Sequence, residues 1–140
     1  MEHLKLIMAT DEHNAVGLNG ALPFQCSADL SFFRALTLNE VCVKGKNTNV
    51  TLKDRTILTM GVDLFDLREL HGGFVIGGPK TWMQALDLNL IGTAFVTIIK
   101  GYHDADVFFD YRKYIGDWHS VTILEKSNLT FIKFIKPYDK

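Results

Sequence analysis

Proline and cysteine are scarce in this chain of 140 residues, with three of the first and two of the second. Two thiols cannot build a disulfide scaffold. The opening "MEHLKLIMAT" has an apolar run too short for a signal peptide, and Lys5 interrupts it. Cys26 and Cys42 are therefore expected to be free thiols in a reducing, cytoplasmic setting. An excess of either charge is also lacking. Fifteen basic residues face sixteen acidic ones, for a net charge of −1, which argues against nucleic acid or an anionic membrane surface as partner. No apolar run approaches the roughly 18 residues that would span a bilayer. The five histidines have no metal-type spacing, and neither cysteine has a close Cys or His neighbour, so no metal site is expected. Repeats, low-complexity stretches and linkers are missing too, which leaves a single domain over 1–140, expected as a monomer. What the chain does have is 47% hydrophobic and 22% charged residues, the composition of a globular protein with a sizeable core.

The pattern of elements indicates α/β architecture. "LKLIMAT" (4–10) has the form of a buried strand, and 11–23, with Asn19-Gly20, that of a long loop of the sort that is often functional. A helix follows in "ADLSFFRALTLN", with Ser27 as its expected N-cap and Leu30, Phe32, Phe33 and Leu36 as a broad apolar face. Strands are expected at 41–45, 56–60, 74–78 and 94–100, and helices at 63–70 and from Pro79. "HSVTILE" and "LTFIKFIK" form a closing hairpin. Strands that alternate with helices and end in a hairpin predict a central, mainly parallel sheet with an antiparallel C-terminal edge and flanking helices.

Two stretches carry chemistry. In "LPFQCSADLSFFRAL" (22–36) an acid, Asp29, stands among apolar residues. It either faces water, stabilised by the helix dipole in the first turn, or it points into a pocket. In a pocket, apolar neighbours push its pKa up. In "FVIGGPKTW" a buried strand runs into Gly77-Gly78, and Pro79 opens a helix, where its missing N–H costs nothing. This is a plain turn or a phosphate cradle of free N–H groups. It matches neither the Walker A pattern nor G-x-G-x-x-G.

The first strand, Val16-Gly17, "LPF", "ADL" with Phe33, Gly45-x-x-Thr48 and "VIGG" come in an order and spacing that resemble dihydrofolate reductase. The similarity extends to "FVTII", "DADVFF", "DWHSV" and the last strand, about three-quarters of the chain in all. The resemblance implies reduction of 7,8-dihydrofolate to tetrahydrofolate with hydride from NADPH, in one-carbon metabolism, and binding of antifolates. It implies that Asp29 holds the pterin and that the proton arrives through water near it. Leu22 and Phe24 would lie in the loop that closes over the nicotinamide, and Thr97 would hydrogen-bond the acid. Met8, Leu30, Phe33 and Leu52 would wall the substrate, and Arg55 would meet its glutamate tail. The cofactor would lie against Ala9, Val16, Gly17, Gly45, Lys46, Thr48, Ile76, Gly77, Gly78 and Lys80, with a cis peptide at the glycine pair.

The sequence also departs from the family. Phe24 stands where many members have Trp, and Pro79 where a third glycine is common. The chain is short between Thr48 and Phe74, and Met60-Gly61 replaces the polar or basic group that helps to hold the cofactor's extra phosphate. A non-catalytic binding or structural protein that retains the fold is therefore one alternative. A related pyrimidine reductase of riboflavin synthesis is another, and Asp29 with Phe33 speaks against it.

Overall fold

A computed structural model describes residues 4–48, 50 and 52–137. The strands are β1 (Leu4–Asp11), β2 (Ala15–Gly17), β3 (Val41–Lys44), β4 (Thr56–Thr59), β5 (Phe74–Gly77), β6 (Ile91–Ile99), β7 (Val107–Phe108), β8 (His119–Glu125) and β9 (Leu129–Ile135). The helices are α1 (Ser27–Thr37), α2 (Pro79–Asp87) and the single turn α3 (Arg112–Ile115). Among the described residues no helix is long and apolar enough to cross a membrane.

Seven strands form one sheet in the order β4-β3-β5-β1-β6-β9-β8. The first five run parallel, β9 is antiparallel to β6, and β8 pairs antiparallel with β9. The expected mainly parallel sheet with its antiparallel C-terminal hairpin is thus present. The central strands are buried on both faces, which is why they appear in the sequence as nearly continuous apolar runs.

The two long helices lie on opposite faces. Trp82 and Ala85 of α2 share a core with Leu4, Leu6, Met8, Val43 and Val75. Phe32, Phe33 and Leu36 of α1 pack with Ile7, Phe74 and Phe95, while Phe32 also stacks on Phe131 at 4.2 Å. The connection β1–α1–β3 leaves β1 toward one edge of the sheet, and β5–α2–β6 crosses toward the other. Where connections diverge in this way, a crevice opens at the carboxyl ends of the strands, here between β5 and β1.

Several local expectations change. α1 begins at Ser27 itself, after Cys26, with no side-chain cap bond, so Ser27 is not the N-cap. The expected helix over 63–70 reduces to a 3-10 turn at Leu67–Glu69. Its acids bond to the backbone instead of leaving a helix free to form. Asp63 accepts from Thr59 N–H at 2.8 Å, and Asp66 accepts from Arg68 N–H at 2.9 Å. The loop after β1 contains a short strand, β2, which pairs with β7 about ninety residues away. Cys26 and Cys42 are free thiols, as expected.

Candidate active site

Asp29 is the central feature. It lies in the first turn of α1 and is only 6% exposed. The helical period puts Asp29, Phe32, Phe33 and Leu36 on one side of α1, against the sheet. Burial pushes the Asp29 carboxyl above its ordinary pKa of 3.8, and a hydrogen bond from the Thr97 side chain opposes part of that rise. Thr97 lies in β6, in register with Ala9 of β1 and Phe131 of β9, so these three side chains share the α1 face.

Strand alternation then sorts the expected substrate wall. Ile7 and Ala9 point to the α1 face, Ile7 among Phe33 and Phe95, and Ala9 beside Phe24 and Ile99. Met8 points the other way, into the core beneath α2, and does not share a wall with Asp29. This corrects the expectation for Met8. The residue that sequence inspection missed is Ile7, and a period of two counted back from Ala9 would have found it. Leu30 is 40% exposed and Leu22 is 44% exposed, two large apolar side chains presented to solvent. Leu52 is half-buried. Arg55 is not near Asp29. Its guanidinium folds over the far end of α1, donating to the carbonyls of Arg34 and Lys53 and to Thr37 Oγ1. It borders an open hollow of about 300 Å³ with Asn39, Asp54 and Thr56.

A second cluster lies at the carboxyl ends of β3 and β5. The Gly77-Gly78 peptide is cis, and Gly77 has φ +144°, a conformation open to glycine. Gly45 N–H donates to the Gly77 carbonyl at 2.7 Å. A side chain on Gly45 would come within 3.0 Å of Thr81 Oγ1, so glycine there lets β3 approach α2. Thr48 packs over the pair, its Oγ1 3.6 Å from where a Gly78 Cβ would stand. The 45–48 turn is closed by Thr48 N–H to the Gly45 carbonyl and by Lys44 Nζ to the Thr48 carbonyl, at 3.0 Å. Lys46 and Lys80 are exposed, and Ile76 is half-buried on the α1 side. Val16 is buried in the core, and Gly17 accepts from Asp106 N–H.

The sequence model of the dihydrofolate reductase family matches residues 3–60. Dihydrofolate reductases of Staphylococcus aureus strains MSSA476 and Mu50 are each 25% identical over 140 residues, covering 87% of this chain and 86% of theirs. Over most of its length this chain is similar to dihydrofolate reductases. The fold agrees with that of the dihydrofolate reductase from Enterococcus faecalis complexed with NADP(H) and RAB-propyl, at a TM-score of 0.73 and 20% identity, over 95% of each chain. One departure seen in the sequence, Met60-Gly61, falls at the β4 edge of this dihydrofolate reductase fold. Met60, just past β4, packs into the core beneath α2, and the exposed Asp63 bonds to the end of the same strand. The edge of the sheet next to Lys46 therefore carries an acid and a half-buried apolar residue.

Sequence inspection also missed Asp11. It is 1% exposed, yet its pKa lies below the ordinary value. Burial acts to raise it, and hydrogen bonds from Ala15 N–H, His13 N–H and His103 outweigh that effect. A single acid at the end of a strand gives no signal of partners 92 residues away.

Proposed function

We propose that the chain reduces 7,8-dihydrofolate to tetrahydrofolate with NADPH. The observation that carries this is the buried Asp29, hydrogen-bonded by Thr97, at the α1 side of the crevice between β5 and β1. Its carboxylate accepts from the amino group and adjacent ring N–H of a pterin, a geometry suited to two parallel charge-assisted bonds. Ile7, Phe33 and the exposed Leu30 cover the ring. The rest of the substrate follows α1 toward Arg55. From Asp29 to the helix end at Thr37 is eight residues, or about 12 Å.

The glycine cluster fits the cofactor. Among the described residues only Thr48 Oγ1 lies near the open side of Gly78, so a phosphate can come close to the backbone where any side chain would intrude. Gly77, Gly78, Thr48 and Gly45 would hold the pyrophosphate, Lys46 the added charge, and Ala9, Val16 and Gly17 the nicotinamide end. NADPH, when bound, supplies a hydride to the pterin. The protein's own contribution is orientation, exclusion of water by Phe24 and Leu22 of the 11–26 segment, and a proton. Burial makes the Asp29 carboxyl easier to protonate than a free one, and water beside it would pass a proton to the ring nitrogen next to the reduced carbon. The setting is cytoplasmic, and folate analogues compete at the same site.

The test is NADPH oxidation followed by absorbance with dihydrofolate, beside the Asp29→Asn variant. The expected variant is folded, slower by about a hundredfold or more at neutral pH, and partly recovered as pH falls. A wild type with no dihydrofolate-dependent oxidation defeats the proposal. A variant of unchanged rate across pH removes Asp29 from the chemistry.

A further inference from the structure

Asp11 closes β1 two residues beyond Ala9, and its side chain is fully buried. Three backbone donors converge on it, from His13 at 2.8 Å, Ala15 at 3.0 Å and His103 at 2.7 Å. The fourth contact is a side chain, His103 Nδ1 at 3.0 Å. The His103 ring, 29% exposed, then meets Phe24 edge-on, with centroids 5.4 Å apart. Phe24 in turn packs with Ala9, Ile99, Leu129 and Phe131. His103 thus stands between a fixed anionic anchor at the end of β1 and the one large buried ring of the 11–26 segment.

The surroundings reinforce this contact. Glu12 N–H donates to the Gly101 carbonyl, and Gly101 N–H to the Glu12 carboxylate. His13 packs on Tyr102 and Phe108. Asp106 N–H donates to Gly17, and Asp106 accepts from Asn19 N–H. All of these bonds join backbone or exposed groups. The His103 ring differs from these in meeting both the buried Asp11 carboxylate and the Phe24 ring.

We propose that His103, held by Asp11, is a positioning residue that seats Phe24 and with it the 11–26 segment over the reacting end of the site. The inference rests on the proposed function for its catalytic consequence, since that segment covers the nicotinamide end. The seating itself does not depend on that function. An imidazole bonded to a buried carboxylate has a fixed ring plane, and a fixed plane gives Phe24 one resting place in place of several.

The experiment compares wild type with His103→Ala, which loses both the donor and the ring, and His103→Gln, which keeps a donor toward Asp11. Amide hydrogen exchange of residues 12–26 is measured in each, beside kcat, cofactor KM and binding of dihydrofolate alone. In His103→Ala, exchange across 12–26 is expected to be about tenfold faster, with β1 and β6 unaltered. The cofactor KM rises and kcat falls, together by about tenfold or more, while dihydrofolate binding stays as in wild type. His103→Gln recovers part of the loss. Unchanged exchange in both variants overturns the seating. Faster exchange with wild-type kcat and cofactor KM overturns the positioning role. If wild type itself proves inactive, the reductase proposal falls, and the exchange result decides the seating by itself. A general loss of stability, with melting lowered and dihydrofolate binding lost as well, also counts against a positioning residue.

Discussion

Asp29 and Asp11 are both buried acids, and their surroundings drive their pKa values in opposite directions. Asp29 is desolvated and has the Thr97 side chain to offset this, so its carboxyl stays above the ordinary 3.8. Asp11 is as deeply buried but accepts from several N–H groups, and their combined effect exceeds the burial cost. The consequences for stability follow. A raised folded-state pKa favours the fold below the ordinary value, and that advantage is lost as pH rises through the folded value. Asp29→Asn should therefore gain relative stability at neutral pH, and the gain should vanish below the ordinary value of 3.8. Asp11 behaves inversely, stabilising the fold above 3.8 and losing that contribution as pH falls. Thr97→Val removes the hydroxyl that favours the Asp29 carboxylate, so the acid rises further. The falling limb of the pH–rate profile is then expected to move to higher pH, and a limb that stays in place uncouples Thr97 from Asp29.

The turn from β5 into α2 is where a single methyl group separates structure from binding. Gly77 has φ +144°, which a side chain tolerates poorly, so Gly77→Ala is expected to cost about 1–3 kcal/mol of stability. Gly78, in contrast, has φ −93°, and among the described residues an added Cβ would meet only Thr48 Oγ1, at an ordinary 3.6 Å. Gly78→Ala should cost about 1 kcal/mol or less as an N-cap change. It nevertheless places a methyl where a phosphate must approach, and NADPH affinity is expected to fall about tenfold. Quenching of Trp82 fluorescence gives the affinity and a urea melt the stability. Equal affinity in Gly78→Ala and wild type would make this element an ordinary turn. The turn shows its character in the sequence because strand, glycine pair and Pro79 are local. The stretch over 63–70 does not, because its outcome depends on where Asp63 and Asp66 find N–H groups, and Asp63 finds its donor back in β4.

Across the whole molecule, the parallel strands all deliver their carboxyl ends to one rim, so in the proposed function a dinucleotide extending from the β5/β1 crevice would pass β3 and end near β4. There Lys46 offers one charge, Met60 is turned into the core, and Asp63 adds a negative group bonded to the strand end. The preference for NADPH over NADH is accordingly expected to be modest, about tenfold, the worth of one charge-assisted contact. Lys46→Ala should nearly abolish it and Asp63→Asn should increase it, as kcat/KM for the two cofactors would show. A preference indifferent to Lys46 would mean that the extra phosphate lies elsewhere.

By itself the sequence determined the class of fold, because β1, β5 and β6 are buried on both faces and must be written as apolar runs, and because Gly77-Gly78-Pro79 and Asp29 in the first turn of α1 are local patterns. It marked Asp29, Phe33 and Thr97 as candidates for one site. Only the tertiary structure decided which faces those strands turn to which helix, exchanging Met8 for Ile7 on the wall beside Asp29. It also decided that Arg55 bonds to the end of α1, that β2 pairs with β7, and that Asp11 meets His103. These outcomes depend on register and on chain segments that meet across separations of about 20 to 90 residues, and period and composition within a short window carry no information about either.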